Sequence, residues 1–275
     1  MSNNLFISII LCCYNSEKYI DETLKSIKNQ TYSNWELIIV DDGSSDSTEM
    51  KIKNFIINNK KLNIKYYYIN NSGLPEARNY AIKKTCYEWI SIIDHDDIWK
   101  NNKLEIQTSD IKKYPNNYLF FSDFNITKDG NLINSKFKIA ESKDKFKPAK
   151  LNLSKKNAYL NLIQYGCFIG SSTVIFNKKI FTKIDYFNKK YKFICDYIFF
   201  IEVGKKYNMF CSPNILTTWR SHSNQATVRM NKTYFLEMFK LYSKIYLMQN
   251  VILKIKLIVL YKQLRLIISF IIKKI

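Results

Sequence analysis

Apolar and polar positions along the first 125 residues follow two alternating rhythms. Nearly continuous apolar runs, rich in β-branched side chains, occur at Phe6–Leu11, Glu36–Val40, Ile64–Ile69 and Trp89–Ile93. Runs of this length without strict polar alternation suit strands buried on both faces, as in a parallel sheet. Between them the period lengthens. Tyr19–Gln30 puts Ile20, Leu24 and Ile27 on one helical face, with Ser16 available as a cap. Asp46-Ser47-Thr48-Glu49 reads as an acidic variant of a capping box opening a helix to about Asn58. Leu74–Lys84 and Lys103–Tyr114 read as further helices, and Tyr118–Phe121 as another strand. Strand and helix alternating at this spacing predict an α/β fold with a parallel sheet and right-handed crossovers.

After Asn125 the rhythm changes. Asp129-Gly130 is a hairpin turn signal between Ile126 and Ile133, and residues 136–156 read as a Lys-rich loop containing Pro148. A helix over about 157–165, a strand at Thr173–Phe176 and a helix opening near Asp196 follow. No repeat or low-complexity linker divides the chain. The pattern predicts one domain over residues 1–228, with halves at 1–125 and 126–228, and a helical tail over 229–275.

Composition adds two constraints. Hydrophobic residues make up 47% of the 275, as expected for a globular chain, and the net charge of +20 points to an anionic partner. Lys, Asn and Ile are over-used throughout, which weakens the global charge as a pointer. Six cysteines form no CxxC pair and no zinc-like spacing with histidine, so they read as reduced core thiols of a cytosolic protein. Met1-Ser2-Asn3-Asn4 leads straight into a strand, without the basic and apolar regions of a secretion signal.

The chemistry-bearing residues fall where the strands end. In an open parallel sheet, ligands bind at the carboxyl ends of the strands. Those ends carry Cys12-Cys13-Tyr14-Asn15, Asp41-Asp42-Gly43-Ser44-Ser45-Asp46, Asn70 to Asn79 and Asp94-His95-Asp96-Asp97. Asp42 suits hydrogen bonds from a base N–H or ribose hydroxyls, and Gly43 permits a sharp turn close to a ligand. Arg78, in the first turn of a helix, suits a phosphate. Three carboxylates within four positions repel one another unless a hard divalent cation such as Mg2+ joins them, sharing the phosphates of a substrate.

The blocks SIILCCYN, IIVDDGSSD, NNSGLPEARN and IIDHDDIW, in this order and spacing, resemble glycosyltransferase family 2, the inverting enzymes with the GT-A fold. The resemblance is close over residues 5–125 and looser to about 228. It implies a nucleotide-diphosphate sugar donor, a UDP-sugar first among them, bound by the first half, and Mg2+ or Mn2+ held by the DxD-type motif. The second half would take a glycan or lipid-linked glycan acceptor. By motif position Tyr14 and Asp42 would contact the base, and Arg78 the diphosphate. Cys12, Asn15, Gly43, Gly73 and Asp94 would complete the nucleotide-sugar site. Asp96 would lie near the ribose or metal, with Asp96 or Asp97 as direct metal ligand, and His95 is given no role. Cys12 stands where the family usually has proline. The family's general base opens a helix as the Asp of a Glu-Asp pair. Here that position is Asp196, with Cys195 replacing the Glu. Arg220 and His222 resemble an Arg-x-His block that would reach the diphosphate or metal, and Gly170-Ser171-Ser172 would line the acceptor side.

The tail, residues 251–275, is too interrupted by charge to span a bilayer. Lys254, Lys262, Arg265, Ser269 and Lys273 share one helical face, and after Glu237 there are eight Lys/Arg and no acid. That pattern predicts a helix lying on an anionic membrane surface, at its cytoplasmic face, or else one packed on the domain or a partner chain. Two other functions compete. A nucleotidyltransferase would carry a Gly-rich, Lys-containing loop near the first strand, which is missing. A catalytically inactive basic protein binding membrane or nucleic acid would not need the DxDD cluster, and no recognised nucleic-acid module is present.

Overall fold

A computed structural model describes residues 4–142, 152–222, 225, 232–248 and 251–272. Strands β1 (Ile7–Cys13), β2 (Trp35–Asp41), β3 (Ile64–Tyr68) and β4 (Trp89–Asp94) alternate with helices α1 (Ile20–Lys28), α2 (Thr48–Asn58) and α3 (Leu74–Lys84). Next come β5 (Ile98–Trp99), α4 (Lys103–Lys113), β6 (Leu119–Lys128), β7 (Asn131–Ser135) and α5 (Lys136–Glu141). The chain continues through β8 (Asn152–Leu153), α6 (Lys155–Tyr165), β9 (Ile175–Asn177), α7 (Cys195–Lys206), β10 (Met209–Ser221), α8 (Lys232–Leu247) and α9 (Leu253–Ile272). Among the described residues these strands form one sheet in the order β3-β2-β1-β4-β9-β6-β10-β5, with β7 on β6 and β8 on β10.

The first four strands pair in parallel, as their nearly continuous apolar runs suggest, with β3 half-buried at the edge. The fifth expected strand does not join them directly. The short, buried β9 lies between β4 and β6 and runs antiparallel to both. Three buried residues, Ile175-Phe176-Asn177, carry no directional signal, so the mixed centre of the sheet follows from the connections around it. Asp129 and Gly130 both take positive φ, +50 and +81, making the predicted tight turn between β6 and β7.

Some local expectations are corrected. The Ser16 hydroxyl accepts the Tyr14 N–H at 3.2 Å instead of capping α1. Asp46 does accept the Thr48 N–H at 3.0 Å, but Glu49 pairs with Lys53 and leaves the capping box open. Within the supposed Lys-rich loop, α5 forms because Ser135 caps it and accepts the Lys138 N–H. Residues 143–151, Pro148 included, lie outside the described residues, as do residues 273–275 of the tail.

Alternate residues of each strand feed two cores. Ile9, Leu11, Leu37 and Ile39 pack under α1 and α4, and Ile10, Ile38 and Ile92 pack under α3, α6 and α7. Each fully buried side chain of this size contributes about 1.5–3 kcal/mol. α8 and α9 join the second core through Met238, Leu241, Tyr242, Ile245, Ile255 and Val259. The tail helices are therefore packed on the same core as α7.

Candidate active site

At the ends of β1 and β2 two loops are laced together. Asn15 takes φ +46, a left-handed conformation asparagine tolerates; its N–H donates to Ser44 Oγ and its Oδ1 accepts the Ser45 N–H, both at 2.9 Å. Gly43 takes φ +78, and a Cβ there would stand 2.8 Å from the Asn71 backbone nitrogen. The loop after β3 comes this close because Asp42 holds it. One Asp42 oxygen accepts the Ser72 N–H at 2.8 Å and its hydroxyl at 3.0 Å, and the other accepts the Gly73 N–H at 2.8 Å. Asp42 is buried and braces this turn, at the position the sequence suggests for base recognition. Gly73, at φ +90, begins α3, and Tyr14 remains 47% exposed at the rim.

Arg78 is only 1% exposed. One terminal nitrogen donates to Asp94 Oδ1 at 2.6 Å and the other to Asp196 Oδ1, while the guanidinium lies over the Phe187 ring at 5.3 Å. The neighbouring Asn79 side chain bonds the Phe187 backbone twice, at 2.8 and 2.9 Å. The fold thus brings Asp196, at the start of α7, to the sheet edge that carries the DxDD cluster, 102 residues away in sequence from Asp94. Arg78, which the resemblance assigns to the diphosphate, bridges two carboxylates. Cys12, buried on β1, is register-paired with Asp94 on β4. Burial first, then the nearby carboxylates, push its thiol up to about 12 against the pull of Arg78. It is a neutral packing residue.

The cluster itself divides. Asp97 is buried, with Oδ2 accepting the Ser172 hydroxyl at 2.5 Å and Oδ1 near the Arg220 N–H at 3.4 Å. Burial, with Asp96 and Asp94 adding, holds its carboxyl well above the usual range. Asp96 behaves oppositely. Burial works against its ionisation, yet His95 and the bonds from His222 and Gln225 bring the carboxyl below its usual range. Its Oδ2 lies 3.0 Å from His222 Nε2, and His222 stacks on Tyr19 at 4.5 Å. Among the described residues no group of three or more His, Cys, Asp or Glu side chains could hold an ion by itself. The Asp96 carboxylate and the His222 ring nitrogen are the two donors that adjoin each other here, and a hard cation held by them would need its other ligands from water and a diphosphate.

Two residues of the expected site are tied into the protein itself. Arg220 donates to Glu22 at 2.6 Å, to the Tyr19 carbonyl and Thr23 hydroxyl at 3.2 Å, and to the Asp96 carbonyl. It is a clamp between β10, α1 and the cluster. The Ser172 hydroxyl accepts the Asp94 N–H at 2.9 Å and donates to Asp97, tying the first and last acids of the motif together. Nothing in the sequence marked Ser172 or Gln225 for these positions, since both contacts span more than 70 residues.

A family model described as glycosyl transferase family 2 matches residues 8–184. The chain is 31% identical over 231 residues to UDP-Glc:alpha-D-GlcNAc-diphosphoundecaprenol beta-1,3-glucosyltransferase WfgD of Escherichia coli, covering 84% of this chain and 82% of that one. Solved structures share its fold as well. TarS residues 1–349 of S. aureus in complex with UDP-GlcNAc superposes with TM-score 0.70 at 19% identity, over 97% of this chain and 73% of that chain. The mannosyltransferase PcManGT from Pyrobaculum calidifontis, in complex with GDP-Man and Mn2+, gives 0.63 at 14%, over 95% and 70%.

Proposed function

The chain belongs to glycosyl transferase family 2, and from that premise we propose that it moves a hexose from a UDP-sugar to a hydroxyl of a lipid-linked glycan, with inversion at the anomeric carbon. The observation that carries the reading is the Asp94–Arg78–Asp196 bridge, which joins a carboxylate at the opening of α7 to the end of β4. The similarity to WfgD favours UDP-Glc as donor and a GlcNAc-diphospholipid as acceptor.

In this mechanism Asp196 is the general base. It removes the acceptor hydroxyl proton as the oxygen bonds to the anomeric carbon from the face opposite UDP. The bond from that carbon to the diphosphate oxygen breaks, and the electron pair leaves with UDP. Arg78 orients Asp196 and keeps its carboxylate in register with Asp94. The loops of Tyr14, Asn15, Gly43 and Gly73 form the nucleotide cradle, with Asp42 holding its far wall. Asp96 and His222 would hold Mg2+ or Mn2+, which supplies neutralisation of the diphosphate charge. Incubation of UDP-Glc with a synthetic GlcNAc-diphospholipid tests the reading. A β-linked product, read by nuclear magnetic resonance, supports it; a retained α-linkage, or no transfer from UDP-Glc, UDP-GlcNAc or UDP-Gal, overturns it.

A second element of the proposal is peripheral attachment to an anionic membrane surface. Among the described residues no helix is long and apolar enough to cross a membrane. α9 nevertheless carries a second apolar face. Ile255 and Val259 pack inward, while Leu253, Leu257, Leu260, Tyr261, Leu264, Ile268, Ile271 and Ile272 are exposed at helical spacing. Exposed Lys254 and Arg265 flank that stripe.

A further inference from the structure

α7 starts without a cap of its own. Its N-cap residue is Ile194, whose side chain can accept no hydrogen bond, and the loop before it, Lys192-Phe193-Ile194, turns three backbone N–H groups inward. Such groups need acceptors when buried. They find one carboxylate, and it comes from the tail. Glu237, on α8, is 6% exposed; its Oε1 accepts the Lys192 N–H at 2.7 Å, and its Oε2 accepts the Phe193 N–H at 3.0 Å and the Ile194 N–H at 3.2 Å. Asp196 is two residues further on.

We propose that Glu237 is a positioning residue for the general base, so that α8 completes the active site. A carboxylate at a helix N-terminus gains from the exposed amides and the helix dipole. Here that gain is used to fix one backbone conformation of residues 192–194, and hence the direction in which α7 presents Asp196. Arg78 holds the same side chain from the sheet side. Asp196 is thereby fixed from two directions, by its carboxylate and by the backbone leading to it. The rest of α8 supports Glu237 through the buried Met238, Leu241 and Tyr242. The nucleotide cradle makes none of these bonds, which separates base positioning from donor binding.

The proposal rests on Asp196 being the base, and the test keeps the two apart. Full-length Glu237→Gln, Glu237→Asp and Glu237→Ala are compared with Asp196→Asn, using UDP-Glc with the GlcNAc-diphospholipid, calorimetric UDP binding, and hydrogen exchange of amides 192–196. Glu237→Gln keeps the side chain's size and one carbonyl acceptor. It should lower kcat about tenfold, with UDP affinity within about twofold of wild type and exchange at 192–194 raised about tenfold. Glu237→Asp should recover part of kcat. Loss of UDP affinity in parallel with kcat would mean a general structural role and overturn the proposal, as would wild-type kcat or unchanged exchange in Glu237→Ala. Exchange is read without turnover, so it decides the clamp even where no acceptor is used. An active Asp196→Asn variant would sink the base reading separately, whatever Glu237 does.

Discussion

Arg78 donates to Asp94 at 2.6 Å from one end of a buried guanidinium whose other end holds Asp196. The planar fork spans two carboxylates that would otherwise repel each other inside the protein. Burial first, and Asp196 next to it, raise the Asp94 carboxyl, with Arg78 opposing them. Arg78→Met should therefore cost about 3–5 kcal/mol, the magnitude for stripping one partner from a buried ionic network. Arg78→Lys keeps the charge but places it at a single point, so it should restore stability better than turnover. Urea denaturation read beside kcat checks both. A loss under about 1 kcal/mol for Arg78→Met would show that the bridge is not an important tie.

Gly43 gives a sharper steric test. A Cβ at this position would meet the Asn71 nitrogen at 2.8 Å, and φ is +78. Gly73, at φ +90, has only the Pro75 side chain near, at 3.9 Å. Gly43→Ala should push the Asp42-bound loop away from β2, costing about 2 kcal/mol or more and abolishing measurable UDP binding; Gly73→Ala should cost about 1 kcal/mol from backbone strain alone. Equal losses in thermal denaturation would contradict this ordering.

How legible the site was depended on how far apart its partners lie. The strand-end motifs were visible because each is a contiguous block following an apolar run. Their partners were not. Asp42 reads as a ligand-binding acid from its place at a strand end, and its bracing of the next loop is hidden because those donors lie 30 residues and more downstream. Arg220 reads as a diphosphate or metal contact from its Arg-x-His block alone, and its ion pair with Glu22, 198 residues away, has no local signal. Helix ends show the same limit: Asp46 accepts the Thr48 N–H from two residues away and is legible in the sequence, while Glu237 accepts the Ile194 N–H across 43 residues and is not. The direction of β9 was equally hidden, since three buried residues fit either polarity.

Lys103 carries a pH prediction. It is buried, with Nζ donating to Gln107 at 2.6 Å and Ser91 at 3.1 Å and lying 3.9 Å from the Trp99 ring centre. Among the described residues no carboxylate pairs with it, and burial brings the ammonium well below the usual lysine range. The unfolded chain, with an ordinary lysine near about 10.4, binds the extra proton between the two values, so stability rises with pH across that window. Lys103→Met should remove this rise. Urea midpoints at pH 7, 8, 9 and 10 should show the variant relatively most stable at pH 7, with the advantage shrinking upward. A pH-independent difference would refute the buried-charge account.

Asp96 and His222 make the metal reading testable by subtraction. With Nε2 at 3.0 Å from Asp96 Oδ2, His222 either shares an ion or serves only as a hydrogen-bond partner. Chelation with EDTA should weaken UDP binding to wild type, and Mn2+ should restore it. His222→Ala should lower the Mn2+-supported UDP affinity about 10–100-fold while leaving the EDTA value unchanged. If EDTA changes nothing in wild type, the pair is a hydrogen bond alone.

Deleting residues 251–275 would be a blunt test of membrane attachment, because it would also strip Ile255 and Val259 from the core that carries α7. The outward stripe permits a cleaner one. Leu257 and Leu264 are exposed on α9, so Leu257→Glu with Leu264→Glu should leave the melting temperature nearly unchanged. Both substitutions place negative charge in the apolar strip that would enter the headgroup region. Wild-type protein should float with vesicles containing phosphatidylglycerol and detach as salt rises, since Lys254 and Arg265 each add about 1 kcal/mol near an anionic surface. The double variant should stay in the soluble fraction. Equal binding to neutral phosphatidylcholine vesicles would remove the electrostatic part, and flotation of the variant at the wild-type level would leave the stripe to some other partner.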